Sequence, residues 1–202
     1  MGLVSRAYSV KLRGQTQDDL KKGRGRRERY DAIRSATDRV REEVALAVGA
    51  APEQMAVMHS TSSALAAVID GIEWQAGDEV VCTQLEHPAC SMPLREQARR
   101  GRIEVRLAQV PEVDVGNLQW LEKTLSKRTR LVAFSGVAFT NGQRLPYSRI
   151  AQLARERGIL SLLDGAQCAG SIPLDLSASG IDFCAMPLQK WLCGPEGRFA
   201  RD

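Results

Sequence analysis

The chain of 202 residues is 44% hydrophobic and 26% charged, a globular composition that excludes a disordered tail or a collagen-like repeat. Five cysteines without paired spacing argue against a disulfide framework and for a reducing compartment. No apolar run approaches the roughly 20 residues of a spanning helix, which excludes an integral helical membrane protein, and the cytoplasm is the expected location.

The net charge of +4 is uneven, because residues 1–50 carry 12 Lys and Arg against 7 Asp and Glu. The excess sits in Lys21-Lys22-Gly23-Arg24-Gly25-Arg26-Arg27, a cluster that suits a nucleic-acid backbone. Glu28, Asp31, Asp38, Glu42 and Glu43 follow at once, and Tyr30 is the only aromatic residue nearby. A solvated helix of mixed charge is therefore the expected reading, with nucleic-acid binding through residues 21–29 as its rival. Met1 to Leu12 lacks the apolar core of a signal peptide.

In chain order, Ile33, Ala36, Val40, Val44 and Ala47 form one face of a helix over 29–48, ended by Gly49. Met55 to Met58 reads as a first short strand, and Ser62 to Ile72 as a helix capped by the hydroxyls before it. Strands are then expected at 79–83, 103–107, 131–134, 159–163 and 181–185. Helices are expected at 92–100, 118–125 and 148–157. This alternation predicts an α/β domain with a mainly parallel sheet flanked by helices. In such sheets ligands gather at the carboxyl ends of strands, after Met58, Thr83, Phe134, Leu163 and Ala185.

Unusual residues stand at those ends. Ser60-Thr61-Ser62-Ser63 opens a helix, where amides and hydroxyls either bind an anion such as phosphate or merely cap. Glu86-His87-Pro88 follows the 79–83 strand, and His87 either stacks on a flat ligand, moves protons or is structural. Asp164 ends the most apolar strand in Asp164-Gly165-Ala166-Gln167, and so demands a cation, a donor or a turn to cap. Metal is disfavoured there, because partner ligands at the needed spacing are missing. Lys190, in Gln189-Lys190-Trp191-Leu192-Cys193-Gly194-Pro195, is either a snorkelling surface residue or a nucleophilic amine. Together, a phosphate anchor, a stacker, an acid and a lysine fit pyridoxal 5'-phosphate (PLP).

With Gly77-Asp78-Glu79-Val80-Val81 and Arg128-Thr129-Arg130-Leu131-Val132, these motifs occur in an order that resembles fold-type I, class V aminotransferase-like PLP-dependent enzymes. That superfamily includes cysteine desulfurases and isopenicillin N epimerase-like proteins. The resemblance runs from Arg29 to Gly197. It implies that Lys190 forms the Schiff base with PLP and then moves the proton at the substrate α-carbon. Asp164 would pair with the pyridinium nitrogen, His87 would stack on the ring, and Gln167 would bond the ring's phenolic oxygen. Thr61 and Ser62 would hold the phosphate, with Gln189 where the family often has a phosphate-contacting histidine.

The chain also departs from the family pattern. Ser135-Gly136-Val137 stands where Ser-His-Val is common, and Pro187-Leu188 stands where a small hydroxyl residue and glycine are usual. Family members are close to twice this long and continue into a glycine-rich strand, entered here at Gly197, and a C-terminal domain. The chain thus reads as an N-terminal segment at 1–27 and a PLP-binding large domain at 28–202, lacking the small domain. The implied substrate is an amino acid, and the implied assembly a homodimer without membrane association. A truncated, inactive remnant is the second reading. The nucleophilic cysteine of a desulfurase would lie in the absent region, and Cys82, Cys90, Cys168, Cys184 and Cys193 read as core or near-site residues.

Overall fold

The computed structural model describes residue 14 and residues 16–194. Met1 to Leu12, Pro195 and the expected strand at 197–202 lie outside the described residues. The elements are α1 (Arg27–Ala47), α2 (Thr61–Gly71), β1 (Asp78–Thr83), α3 (Pro88–Arg99), β2 (Ile103–Ala108) and α4 (Gln119–Glu122). They continue with β3 (Thr129–Ser135), α5 (Tyr147–Glu156), β4 (Leu160–Asp164), α6 (Leu176–Ser179) and β5 (Phe183–Ala185). Five strands form one sheet in the order β2-β1-β3-β4-β5, and every neighbouring pair is parallel.

The apolar runs of the central strands are continuous because both faces of the sheet are covered. Successive side chains on a strand point to opposite faces. Val80, Cys82, Leu131, Ala133 and Leu162 pack with Leu65 and Ile69 of α2 and Cys90 and Leu94 of α3. Val81, Val132, Phe134 and Leu163 pack with Ile150, Leu153 and Ala154 of α5 and with Val48. At the amino ends of the strands the buried Glu79 carboxylate is held by Arg128 at 2.5 Å, Ser126 at 2.6 Å and Arg106 at 3.2 Å.

Several boundaries differ from the sequence expectation. Residues 55–58 are not a strand, since β5 pairs only with β4 and no strand among the described residues bonds to this segment. An apolar groove of about 360 Å³ lies between Met55–Met58 and β5. The helix expected from residue 92 begins at Pro88, because His87 caps it and proline suits the first helical position. The 118–125 helix shrinks to one turn and the 181–185 strand to three residues. In α1 the face Ile33, Ala36, Val40 and Val44 is half-buried, whereas Ala47 is exposed.

The basic stretch is internally compensated. Lys22 and Arg26 pair with Asp18 at 2.6 and 2.9 Å, and Arg29 holds both oxygens of Asp19 at 2.5 and 2.7 Å. The charges mix as expected, but residues 23–26 are not helical.

Candidate functional site

Chain order reverses between β1 and β3, which leaves a crevice at the carboxyl ends of the strands. Register places Ser135, Asp164 and Ala185 side by side in one row there. Asp164 is 3% exposed, and its Oδ1 accepts one hydrogen bond, from the Ala166 amide at 2.9 Å. Its Oδ2 accepts none among the described residues. Burial pushes the Asp164 carboxyl above its ordinary range, and positive charge on Lys190 and His87 opposes that shift. Asp164 is therefore in electrostatic range of both. A buried carboxylate with a spare oxygen facing such a site is chemically fitted to a cationic ring nitrogen.

His87 is exposed at the N-cap of α3, and its Nδ1 accepts from the Ala89 amide at 3.0 Å. That bond fixes the ring orientation and, in the neutral form, leaves the proton on Nε2. Phe139 meets the imidazole edge-on at 4.8 Å between centroids and 77°.

Lys190 lies in the turn after β5, half-buried. The Gly194 amide donates to the Leu188 carbonyl at 2.7 Å and the Cys193 amide to the Lys190 carbonyl at 3.1 Å, closing that turn. Leu188 has no left-handed backbone, so glycine's freedom is not needed at this position; Cys193, at φ 55°, takes it instead. The turn rests on Gly170 (φ 87°), where a Cβ would lie 2.7 Å from the Trp191 backbone. Gly170 is thus a residue of the site's support that the sequence reading missed, and only its neighbourhood in space reveals it. The Trp191 indole donates to Gln167 Oε1 at 2.7 Å, leaving the Gln167 amide nitrogen as a donor for a ligand oxygen.

At the amino end of α2 the structure separates the four hydroxyls. Ser60 is the cap, accepting from the Ser63 amide at 3.1 Å. Thr61 and Ser62 begin the helix without serving as the cap, so their hydroxyls are left over for an anion. Thr61 and Gln189 line the same groove, together with Met186 and Leu188. Ser62 does not line it, and neither do Asp164, His87 and Lys190.

The missing side chain of Ser135-Gly136-Val137 has a local reason. A Cβ on Gly136 would lie 2.3 Å from Cys168 Sγ, so the thiol occupies that space. Burial pushes the Cys168 thiol up to about 11 and Cys82 up to about 12, and raises Cys90 and Cys184 as well. These four thiols are poor nucleophiles. Among the described residues no group of three or more His, Cys, Asp or Glu could hold a metal ion, and no helix is long and apolar enough to cross a membrane.

The residue the sequence reading passed over is Glu86. In the sequence it stands out only as the neighbour of His87, yet it is 9% exposed. Its two oxygens accept from the Thr83 hydroxyl and from the Ser135 amide and hydroxyl at 2.6, 2.9 and 2.8 Å.

The chain is similar to known proteins over most of its length. A probable cysteine desulfurase of Methanothermobacter thermautotrophicus is 31% identical over 83% of this chain and 42% of its own length. One from Chlamydia muridarum is 36% identical over 82% and 42%, and isopenicillin N epimerase of Amycolatopsis lactamdurans is 32% identical over 80% and 43%. The cystine C-S lyase C-DES, solved with its reaction product cysteine persulfide, superposes with a TM-score of 0.87 at 26% identity. That match covers 96% of this chain and 52% of the lyase. C-DES has also been solved as a lysine-to-alanine variant with glycine covalently linked to the PLP cofactor, with a TM-score of 0.88 at 25% identity over the same shares. The chain thus spans about half the length of the relatives it matches. The family model for aminotransferase class-V matches residues 16–198, and the chain belongs to that family.

Proposed function

We propose that residues 28–202 form the PLP-binding domain of an enzyme that acts on the amino group or α-carbon of an amino acid, with residues 1–27 as a separate N-terminal segment. The observation that carries this is the buried Asp164 carboxylate, one oxygen unbonded, in electrostatic range of Lys190 and His87 at the strand ends. Bound PLP supplies a sink for the electron pair left at the substrate α-carbon.

The residues of the chain do the rest. Asp164 holds the ring nitrogen protonated by its charge. Lys190 would hold the aldehyde carbon through its amine and would move the proton at the substrate α-carbon. His87 covers one ring face, with its imidazole oriented by the Ala89 amide. Gln167, its oxygen occupied by Trp191, donates to the ring oxygen. Thr61, Ser62 and the first amides of α2 receive the phosphate, with Gln189 beside them. A homodimer and a cytoplasmic location complete the reading, the latter supported by five free cysteines.

The test is the visible absorption of the purified chain with added PLP, beside Lys190→Ala. A band in the parent that is absent from the variant supports the reading. Folded parent without a band overturns it. A band that no amino acid perturbs supports the second reading, a PLP-binding protein without turnover, which the open groove along β5 favours.

A further inference from the structure

Glu86 is a buried carboxylate with no part in the chemistry assigned above. It joins two elements that the chain visits 49 residues apart. Thr83, at the end of β1, donates to Oε1, and so does the amide of Ser135, at the end of β3. The Ser135 hydroxyl donates to Oε2. The strands β1 and β3 flank the reversal of chain order, so this carboxylate closes the floor of the crevice.

Both flanks of the clamp carry site residues. His87 is the next residue in the chain, and Asp164 is the register partner of Ser135. Four neutral or acidic groups surround Glu86, which follows β1 in the chain: Ser135 from β3, Asp164 from β4, Cys90 from α3, and Cys82 on β1 beside Thr83. Among the described residues no lysine, arginine or histidine makes a salt bridge to it. Three strong donors without a counter-ion suit a group that must hold geometry yet carry a variable charge.

We propose that Glu86 is a positioning residue. It locks the His87 loop to the strand end beside Asp164. Like charges oppose one another's ionisation, so the charge on Asp164 keeps Glu86 protonated to higher pH. Burial, first, and the Asp164 charge push the Glu86 carboxyl up to about 7, although its three hydrogen bonds act against this. The inference deepens the PLP reading, and its consequence for cofactor binding rests on that reading, but the clamp and the coupling are properties of the protein without cofactor.

The experiment uses the full chain in four forms: parent, Glu86→Gln, Glu86→Ala and Asp164→Asn. Glutamine keeps the volume and can still accept from Thr83 and the Ser135 amide, while removing the charge. Alanine removes clamp and charge together. Without cofactor, hydrogen exchange at the Ser135 amide is expected to accelerate at least about tenfold in Glu86→Ala and to stay near the parent in Glu86→Gln. Carbon NMR of the Glu86 carboxyl is expected to show a lower titration midpoint in Asp164→Asn than in the parent.

Equal Ser135 protection in the parent, Glu86→Gln and Glu86→Ala overturns the clamp, and a Glu86 midpoint unmoved in Asp164→Asn overturns the coupling. If Glu86→Ala does not fold, the same exchange in Glu86→Asp, whose side chain is one methylene too short to keep both bonds to Ser135, decides the clamp. With PLP, Glu86→Ala is expected to weaken binding about tenfold while keeping the Lys190-dependent band. A parent without that band defeats the PLP reading and leaves the two cofactor-free results to judge Glu86.

Discussion

Gly170 shows how a residue without chemistry fixes one that has it. Its φ of 87° and the 2.7 Å approach of the Trp191 backbone both exclude a side chain. Gly170→Ala is expected to cost about 1–3 kcal/mol through a left-handed alanine and the displaced turn. The same change should reduce PLP attachment at Lys190, because the Lys190 turn rests on that glycine. Urea unfolding and the visible band check the two parts. An alanine variant with parental stability would show that the turn does not rest there. Gly136 and Cys168 illustrate the same lesson: the family's side chain at 136 is absent where a thiol already fills the space. No local pattern in either segment announces these pairings, since the partners are 21 and 32 residues apart along the chain.

Among the elements, α2 bears most directly on function. Ser60 caps it, which frees Thr61, Ser62 and the amides behind them for an anion. Ser60→Ala is expected to lose about 1 kcal/mol of stability. Ser60→Asp should keep the cap but place a negative charge beside the proposed phosphate position. Its stability should match the parent while its affinity for PLP falls more than its affinity for unphosphorylated pyridoxal. Fluorescence titration with the two compounds checks this, and equal losses would remove the phosphate from this helix end. The helices and central strands were legible because their periodicity is strong, as in α5, where Ile150, Ala151, Leu153 and Ala154 are all buried. The 55–58 segment was misread because an apolar run carries no information about whether a partner strand lies beside it.

For the whole molecule, the buried carboxyls tie stability to pH. Glu86 rises from 4.5 to about 7 through burial first, and Asp164 is raised from 3.8 by the same cause. The folded chain therefore holds protons that the unfolded chain has released, and stability falls as pH rises from 4.5 to about 7. Glu86 alone accounts for about 3 kcal/mol, at about 1.4 kcal/mol per unit. Below that window the opposite sign applies to the exposed Glu96, held low by Arg99 and Arg100. Urea unfolding at pH 5 and 7.5 should show the parent less stable at the higher value and Glu86→Gln nearly level. A parent as stable at pH 7.5 as at pH 5 would contradict this.

The sequence by itself determined the α/β class, most element positions, and the strand ends at which Asp164, His87 and Lys190 stand. These follow from periods of two and 3.6 residues and from the one-sided chemistry of parallel sheets, which are properties of short stretches. Only the tertiary structure decided that Ser60 rather than its neighbours is the cap, that Trp191 orients Gln167, that Gly170 supports the lysine turn, and that Glu86 joins β1 to β3. Each of these depends on contacts closed between distant segments, where distance and burial set the hydrogen bonds and the charge. A chain read one window at a time has no access to either quantity.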